Sequence, residues 1–203
     1  MKRIAILLAA AAAAVALTTA ALAAHASHAA TKTPFTFYLT HYTLLGSDPN
    51  KPTGVHYGNN GHPSAKAADG STIALAGKGG WDPAAATATG GGTYTVKNKA
   101  GTVTGHGTWQ PTSFASFLQL AGWWPKGFKE LHWQGPSGSP SYSGVLTLNV
   151  RLSGLGNGVL KLYCLMPGTP KPKGFATDGL TLTGPKLHFT KQIQSYEGVM
   201  FYG

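Results

Sequence analysis

The stretch GGGTYTVKNKAGTVTGHGTW, residues 90 to 109, reads as two β-strands around a turn at Asn98 to Gly101, yet it sets Gly91, Gly92, Gly105 and Gly107 inside those strands. Glycine weakens a strand because it packs nothing and loses the most backbone freedom on folding. A sheet that keeps several must be bending sharply, letting a backbone or ring come close, or lining a hollow. Strand side chains alternate, so Val103, Gly105, Gly107 and Trp109 fall on one face, as do Ile73, Leu75, Gly77, Gly79 and Trp81. The expectation is a strongly coiled sheet with Trp81, Tyr94 or Trp109 packed over bare backbone, and a ligand cavity on the same face is the competing reading.

The rest of the chain repeats this character. Short β-branched or aromatic runs, bounded by Gly, Pro, Asn and Asp, fall at 35–45, 71–79, 86–96, 102–109, 144–152, 158–166, 180–183, 186–191 and 198–202. The class is all-β, a single antiparallel β-barrel or barrel-like sandwich of about nine strands. Asp69-Gly70, Asp82-Pro83, Asn98 to Gly101 and Gly154 to Gly158 supply tight turns, so the middle of the chain reads as a meander. One segment departs from it. PTSFASFLQLA, residues 111 to 121, spaces Phe114, Phe117, Leu118 and Ala121 as a short amphipathic helix would, with Thr112 or Ser113 as N-cap and Gly122 as terminator. Residues 47–70 and 167–174 are rich in Pro, Gly and Asn and read as long surface loops.

Ahead of the β-rich part, Lys2 and Arg3 precede an apolar run from Ile4 to Ala24 and small residues around Ala24-His25-Ala26, the pattern of a signal peptide over 1–26. A retained membrane anchor competes, but the run is mostly alanine, which is weakly hydrophobic. Residues 27–203 are then a single β-rich domain with an ordered core from about 34, secreted or periplasmic, of a size that supports one core. Cys164 is the only cysteine, so no internal disulfide can brace the fold, and in KLYCLM it reads as a small buried hydrophobe. Without Lys2 and Arg3 the sixteen Lys and Arg fall to fourteen against six acidic residues, a net charge of +8. The lysines are scattered and lack Arg-rich clustering, which favours weak attraction to anionic surfaces and no specific nucleic acid.

Catalytic chemistry has little to work with. Asp48, Asp69, Asp82 and Asp178 each precede Pro or Gly and read as turn caps, leaving Glu130 and Glu197, a thin supply for a glycosidase that needs two facing carboxyls. Histidines 41, 56, 62, 106, 132 and 188 have no tight ligand spacing, so no metal and no cofactor are implied, and His106 between two glycines reads as a solvent-facing strand residue. GPSGS at 135–139 lacks the spacing of a nucleophile elbow, and GLGNGV at 154–159 is a hairpin turn rather than a dinucleotide fingerprint. The richest segment is aromatic, with Trp109, Phe114, Phe117, Trp123, Trp124, Phe128 and Trp133 interleaved with Lys126 and Lys129. It reads as a core-covering lid or as a binding surface. Trp81, Tyr94, His106, Trp109, Trp123, Trp124 and Trp133 are the candidate ligand-binding residues.

The run WDPAAATATGGGTYTVKNKAGTVTGHGTWQPTSFASFLQLAG resembles a pattern in an uncharacterised family of secreted bacterial and fungal β-rich proteins: a W/F-D-P turn, GGGTY, a G-T-W strand end and an S-F segment. VLTLNVRL and GVLKLYCLM resemble that family's following hairpin, so the likeness covers most of the chain from about Thr72. It implies an architecture and no catalytic residues. The Gly-rich meander is also loosely similar to the allene oxide cyclase and dirigent barrels, which have a central pocket, a likeness of fold alone. The functional expectation is an exported, non-catalytic domain that binds an apolar small molecule or a surface glycan. The alternatives are a small barrel enzyme of cyclase or isomerase type, using polar groups such as Glu197, Tyr94 or His106, and a structural envelope protein.

Overall fold

A computed structural model of the chain describes residues 35–48, 53–58, 60–120, 129–132, 141–165, 178–193 and 195–203, with 129–132 as backbone. The leader expected over 1–26, the loop at 167–174 and Trp123, Trp124 and Trp133 lie outside the described residues. The described residues belong to one compact unit, Lys32–Gly203. They form twelve strands: β1 (Phe35–Leu45), β2 (Gly54–Gly58), β3 (Ser64–Ala67), β4 (Thr72–Asp82), β5 (Thr87–Lys97), β6 (Val103–Leu120), β7 (Lys129–His132), β8 (Ser141–Leu152), β9 (Gly156–Cys164), β10 (Gly179–Gly184), β11 (Leu187–Gln192) and β12 (Glu197–Tyr202).

All twelve belong to one sheet that closes on itself, a barrel-like all-β fold. A meander of β4, β5 and β6 continues onto β8, and these four strands are common to two closed circuits. The larger runs from β4 through β3, β11, β10 and β9 to β8. The smaller runs from β4 through β1 and β12 to β8. The split happens because the outer edges of β4 and β8 each change partner along their length. Thr72 to Ala74 of β4 face β3, whereas Lys78 to Trp81 face β1. Gly144 to Leu152 of β8 face β9, whereas Ser141 and Tyr142 face β12. β2 extends the edge of β1, and β7 pairs with β2 in the sheet's one parallel ladder among the described residues.

Alternation fills each circuit differently. Cross-strand register lines up Leu148, Leu160, Leu182 and Phe189 in one inward row and Leu146, Leu162 and Leu180 in the next, all buried. Each such side chain stabilises by roughly 1.5–3 kcal/mol on burial. The smaller circuit is packed with rings instead. Trp81 lies 5.1 Å from Phe35, 5.1 Å from Phe117 and 5.5 Å from Phe201, and Phe37 bridges it to Trp109 at 6.5 and 6.3 Å.

Three expectations need correction. The helix over 111–121 is strand throughout its described part, because β6 runs unbroken from Val103 to Leu120, and no helix occurs among the described residues. Its apolar spacing of three comes from bulges. Pro111, Phe114 and Phe117 pair with Val150, Leu148 and Leu146, which are two apart, so Thr112 and Ala115 are extra residues and the three apolar side chains stay on one face. The supposed loop at 47–70 contains β2 and β3, short strands held by β1 and by β4 and β11. Val103 does not share the inward face of Gly105 and Gly107: a bulge sets Val96 opposite Gly105 but Lys97 opposite Val103, turning Val103 outward, 52% exposed.

Candidate functional site

The glycine faces are packed. A Cβ on Gly79 would sit 2.7 Å from the Phe37 ring and overlap the Thr89 carbonyl, and one on Gly107 would sit 3.0 Å from the Tyr94 ring and overlap Ser153 Oγ. Gly105 is looser, its nearest neighbour the Val96 Cβ at 3.8 Å. Gly77 and Gly91 have φ of 143° and 137°, a region other residues rarely enter, and there β4 presses on the β5 backbone and β5 on the β6 backbone at Trp109. The Trp109 indole spans this thinned region. Gly92 is its partner on β5, and its Nε1–H donates to the Ala76 carbonyl on β4 at 3.0 Å. The bare backbone makes room for rings and for a sharp coil.

This decides where the ligand-binding candidates sit. Trp81, Tyr94 and Trp109 are core residues, 0%, 4% and 2% exposed, and the Tyr94 hydroxyl donates to the Ser153 carbonyl. Trp81 Nε1 is buried without a hydrogen-bond partner, consistent with a ring held by its aromatic neighbours rather than by a polar contact. His106 is exposed on the outer face of β6. The structure therefore does not gather the four described candidates at one surface. Cys164 is buried as expected.

The turn readings hold for Asp69, whose Oδ1 accepts the Ser71 N–H at 2.8 Å and hydroxyl at 2.6 Å, and for Asp82, whose Oδ1 accepts the Ala84 and Ala85 N–H groups. The Ser71 hydroxyl and amide together hold the Asp69 carboxyl below its ordinary pKa. Asp178 differs. It accepts the Leu165 N–H, tying β9's end to β10's start, a long-range contact that the turn reading did not include.

A cleft that sequence reasoning did not single out opens where β12 parts from β1. β12 leaves β1 at the pair His41–Glu197, while β1 continues to Leu45 with β2 alone on its edge. Tyr196, at the point of departure, folds back: the Tyr42 N–H donates to its carbonyl at 2.8 Å, and the Tyr42 hydroxyl donates to the Ser195 carbonyl at 3.1 Å. The resulting opening holds about 240 Å³ between His41, Tyr42, Leu44, Leu45, Asp48 and Tyr196. Tyr196 is 56% exposed, its ring edge-on to Tyr42 at 5.8 Å. Burial first, then the negative charge of Asp178 and then Tyr196, raise the Tyr42 pKa, so this hydroxyl stays a neutral donor.

Beside the cleft, Glu197 joins two histidines that are distant in sequence. Its Oε1 lies 3.1 Å from His41 Nδ1, and its Oε2 accepts the backbone N–H of His62 at 2.5 Å. The loop carrying His62 can come this close because Gly61 packs on the Thr40 backbone with no room for a side chain. The Glu197 contact engages Nδ1 and orients the His41 ring. An imidazole, a carboxylate and an exposed phenol ring around one small opening can hydrogen-bond hydroxyl groups and stack on an apolar face. No cluster of three or more His, Cys, Asp or Glu residues placed to hold a metal ion occurs among the described residues. The sequence sets Glu197 apart from the turn aspartates, but no local signal pairs it with His41, 156 positions away.

A scan against protein-family models finds no match to this chain, and neither the curated proteins nor the solved structures contain a match.

Proposed function

We propose that this protein is an exported, non-catalytic binding domain that takes a surface glycan at the Tyr196 cleft. The observation that carries the reading is the exposed Tyr196 ring standing over a 240 Å³ opening lined by His41, Tyr42 and Asp48. An exposed ring offers its face to the C–H side of a sugar, and the polar groups around it match the hydroxyls. The opening is smaller than the roughly 300–1,000 Å³ of pockets that enclose drug-sized apolar molecules, which favours one sugar ring of a surface chain over a buried apolar ligand. The small barrel enzyme draws less support, since Phe37 and Tyr94 occupy the space that the glycine faces would have to leave for a substrate. Export rests on the leader pattern at 1–26, and the resemblance to secreted β-rich proteins agrees with it.

A glycan array followed by titration of the best hits tests the reading. Tyr196→Ala removes a stacking contact of about 1.4 kcal/mol and weakens binding about tenfold, with a cooperative unfolding transition retained. Arrays that stay empty with folded protein, or hits that Tyr196→Ala leaves untouched, refute it.

A further inference from the structure

The outer face of the larger circuit carries a feature that the cleft does not explain. Cross-strand register places Lys191 of β11 directly opposite Lys66 of β3, Lys66 opposite Thr72 of β4, and Thr72 opposite Lys97 of β5. Directly opposed residues point to the same side of a sheet, and Lys66, Lys97 and Lys191 are all exposed. Like charges in that relation are destabilising. Alternation alone would not produce it: Phe189 points inward, so Lys191, two residues on, would follow it into the core. A bulge between Phe189 and Lys191 shifts the ladder by one residue and aims Lys191 outward beside Lys66. Lys99, on the turn after β5, joins the row, with its stem laid along Gly70, where an added Cβ would come within 3.0 Å of it. Asp69, on the turn between β3 and β4, is engaged by Ser71, and none of these lysines forms an ion pair among the described residues.

We infer that this row is a docking surface for a linear anionic polysaccharide, carboxylated or sulfated, lying across the strands. Neighbouring strands are about 4.8 Å apart, so Lys191, Lys66 and Lys97 present charges at intervals of about 5 and 10 Å along one line. That spacing is close to or below the Debye length of about 8 Å at physiological salt, and the lysines attract a chain of anions jointly. Thr72 in the row and Thr95 and Thr190 beside it add hydroxyls that hydrogen-bond sugar oxygens. A membrane surface fits less well, since the row has one exposed apolar neighbour, Val103, and no aromatic ring to enter the headgroups. Nucleic acid fits less well because the row contains no arginine to fork onto phosphate.

The test measures binding of the full chain to immobilised heparin and to soluble polygalacturonate, with neutral dextran, phosphatidylserine vesicles and duplex DNA in parallel. At least one of the two anionic polysaccharides binds, dextran does not, and the affinity falls as salt rises. The triple variant Lys66→Gln, Lys97→Gln, Lys191→Gln weakens that binding at least tenfold, whereas Lys78→Gln, Lys161→Gln, Lys186→Gln, which removes the same charge elsewhere, weakens it less than threefold. The first triple also unfolds at or above the wild-type midpoint, because it removes a repulsion. Equal losses in the two triples, tighter binding to vesicles or DNA, or no binding to either polysaccharide overturns the inference. Tyr196→Ala leaves this binding unchanged, so the outcome is independent of the cleft.

Discussion

At the scale of single residues the glycines of β4, β5 and β6 divide into those the packing requires and those it tolerates. Gly79 lies under Phe37 and against Thr89, so Gly79→Ala must displace a core ring or a strand backbone, a cost of about 3 kcal/mol or more. Gly105 meets ordinary contact distance, so Gly105→Ala falls within about 1 kcal/mol of wild type and on the stabilising side, since the unfolded chain loses freedom. Urea unfolding of the two variants separates them, and similar midpoints would contradict the packing described. The sequence made the crowding legible in outline, through glycines at strand positions with Trp81 and Trp109 on the same faces. It did not reveal which ring covers which glycine. Phe37, from a strand more than forty positions away, comes over Gly79, and no local pattern encodes that approach.

At the scale of elements, β1 is legible at its full extent, 35–45, because an uninterrupted β-branched and aromatic run has one reading. β6 is not, because two bulges give a strand the apolar spacing of a helix. The correcting signal lay in its partner. Leu146, Leu148, Val150 and Leu152 of β8 keep a strict period of two and need a strand to face. This pairing makes deletions informative. Removing Ala115 leaves Phe114 and Phe117 two apart and still facing Leu148 and Leu146, at a cost within about 2 kcal/mol. Removing Thr147 from the regular β8 turns one half of its inward row to solvent and abolishes the cooperative transition. Far-ultraviolet circular dichroism and thermal melts distinguish the two, and a helical signal in either parent or variant would contradict the strand. β2 and β3 went unread because each is four or five residues between Gly, Asn and Pro, and their stability comes from neighbours distant in sequence.

At the scale of the whole molecule, the all-β closure was legible from strand count and turn chemistry, whereas the double circuit and the Tyr196 cleft depend on where β12 joins β1, which nothing local announces. The same long-range assembly buries Tyr163 and partly buries Tyr42, and the hydroxyls of both resist ionisation. Tyr42 is shifted up by burial, then Asp178, then Tyr196, and Tyr163 by burial, partly offset by its hydrogen bond with Thr181. Both native pKa values lie above the unfolded value, so the stability they contribute is complete below about pH 10 and is lost as pH rises through the native values. The unfolding midpoint therefore declines in that alkaline window, and the Tyr42→Phe, Tyr163→Phe double variant declines less steeply; an unchanged slope would count against the burial described. The pairing of Thr36 with Tyr202 joins positions 166 residues apart. Until β12 has been synthesised, the smaller circuit has a missing stave, and Trp81, Phe117 and Phe201 cannot meet. A chain built this way can close its larger circuit first, and the ring-packed smaller one becomes rigid only after the last stave arrives.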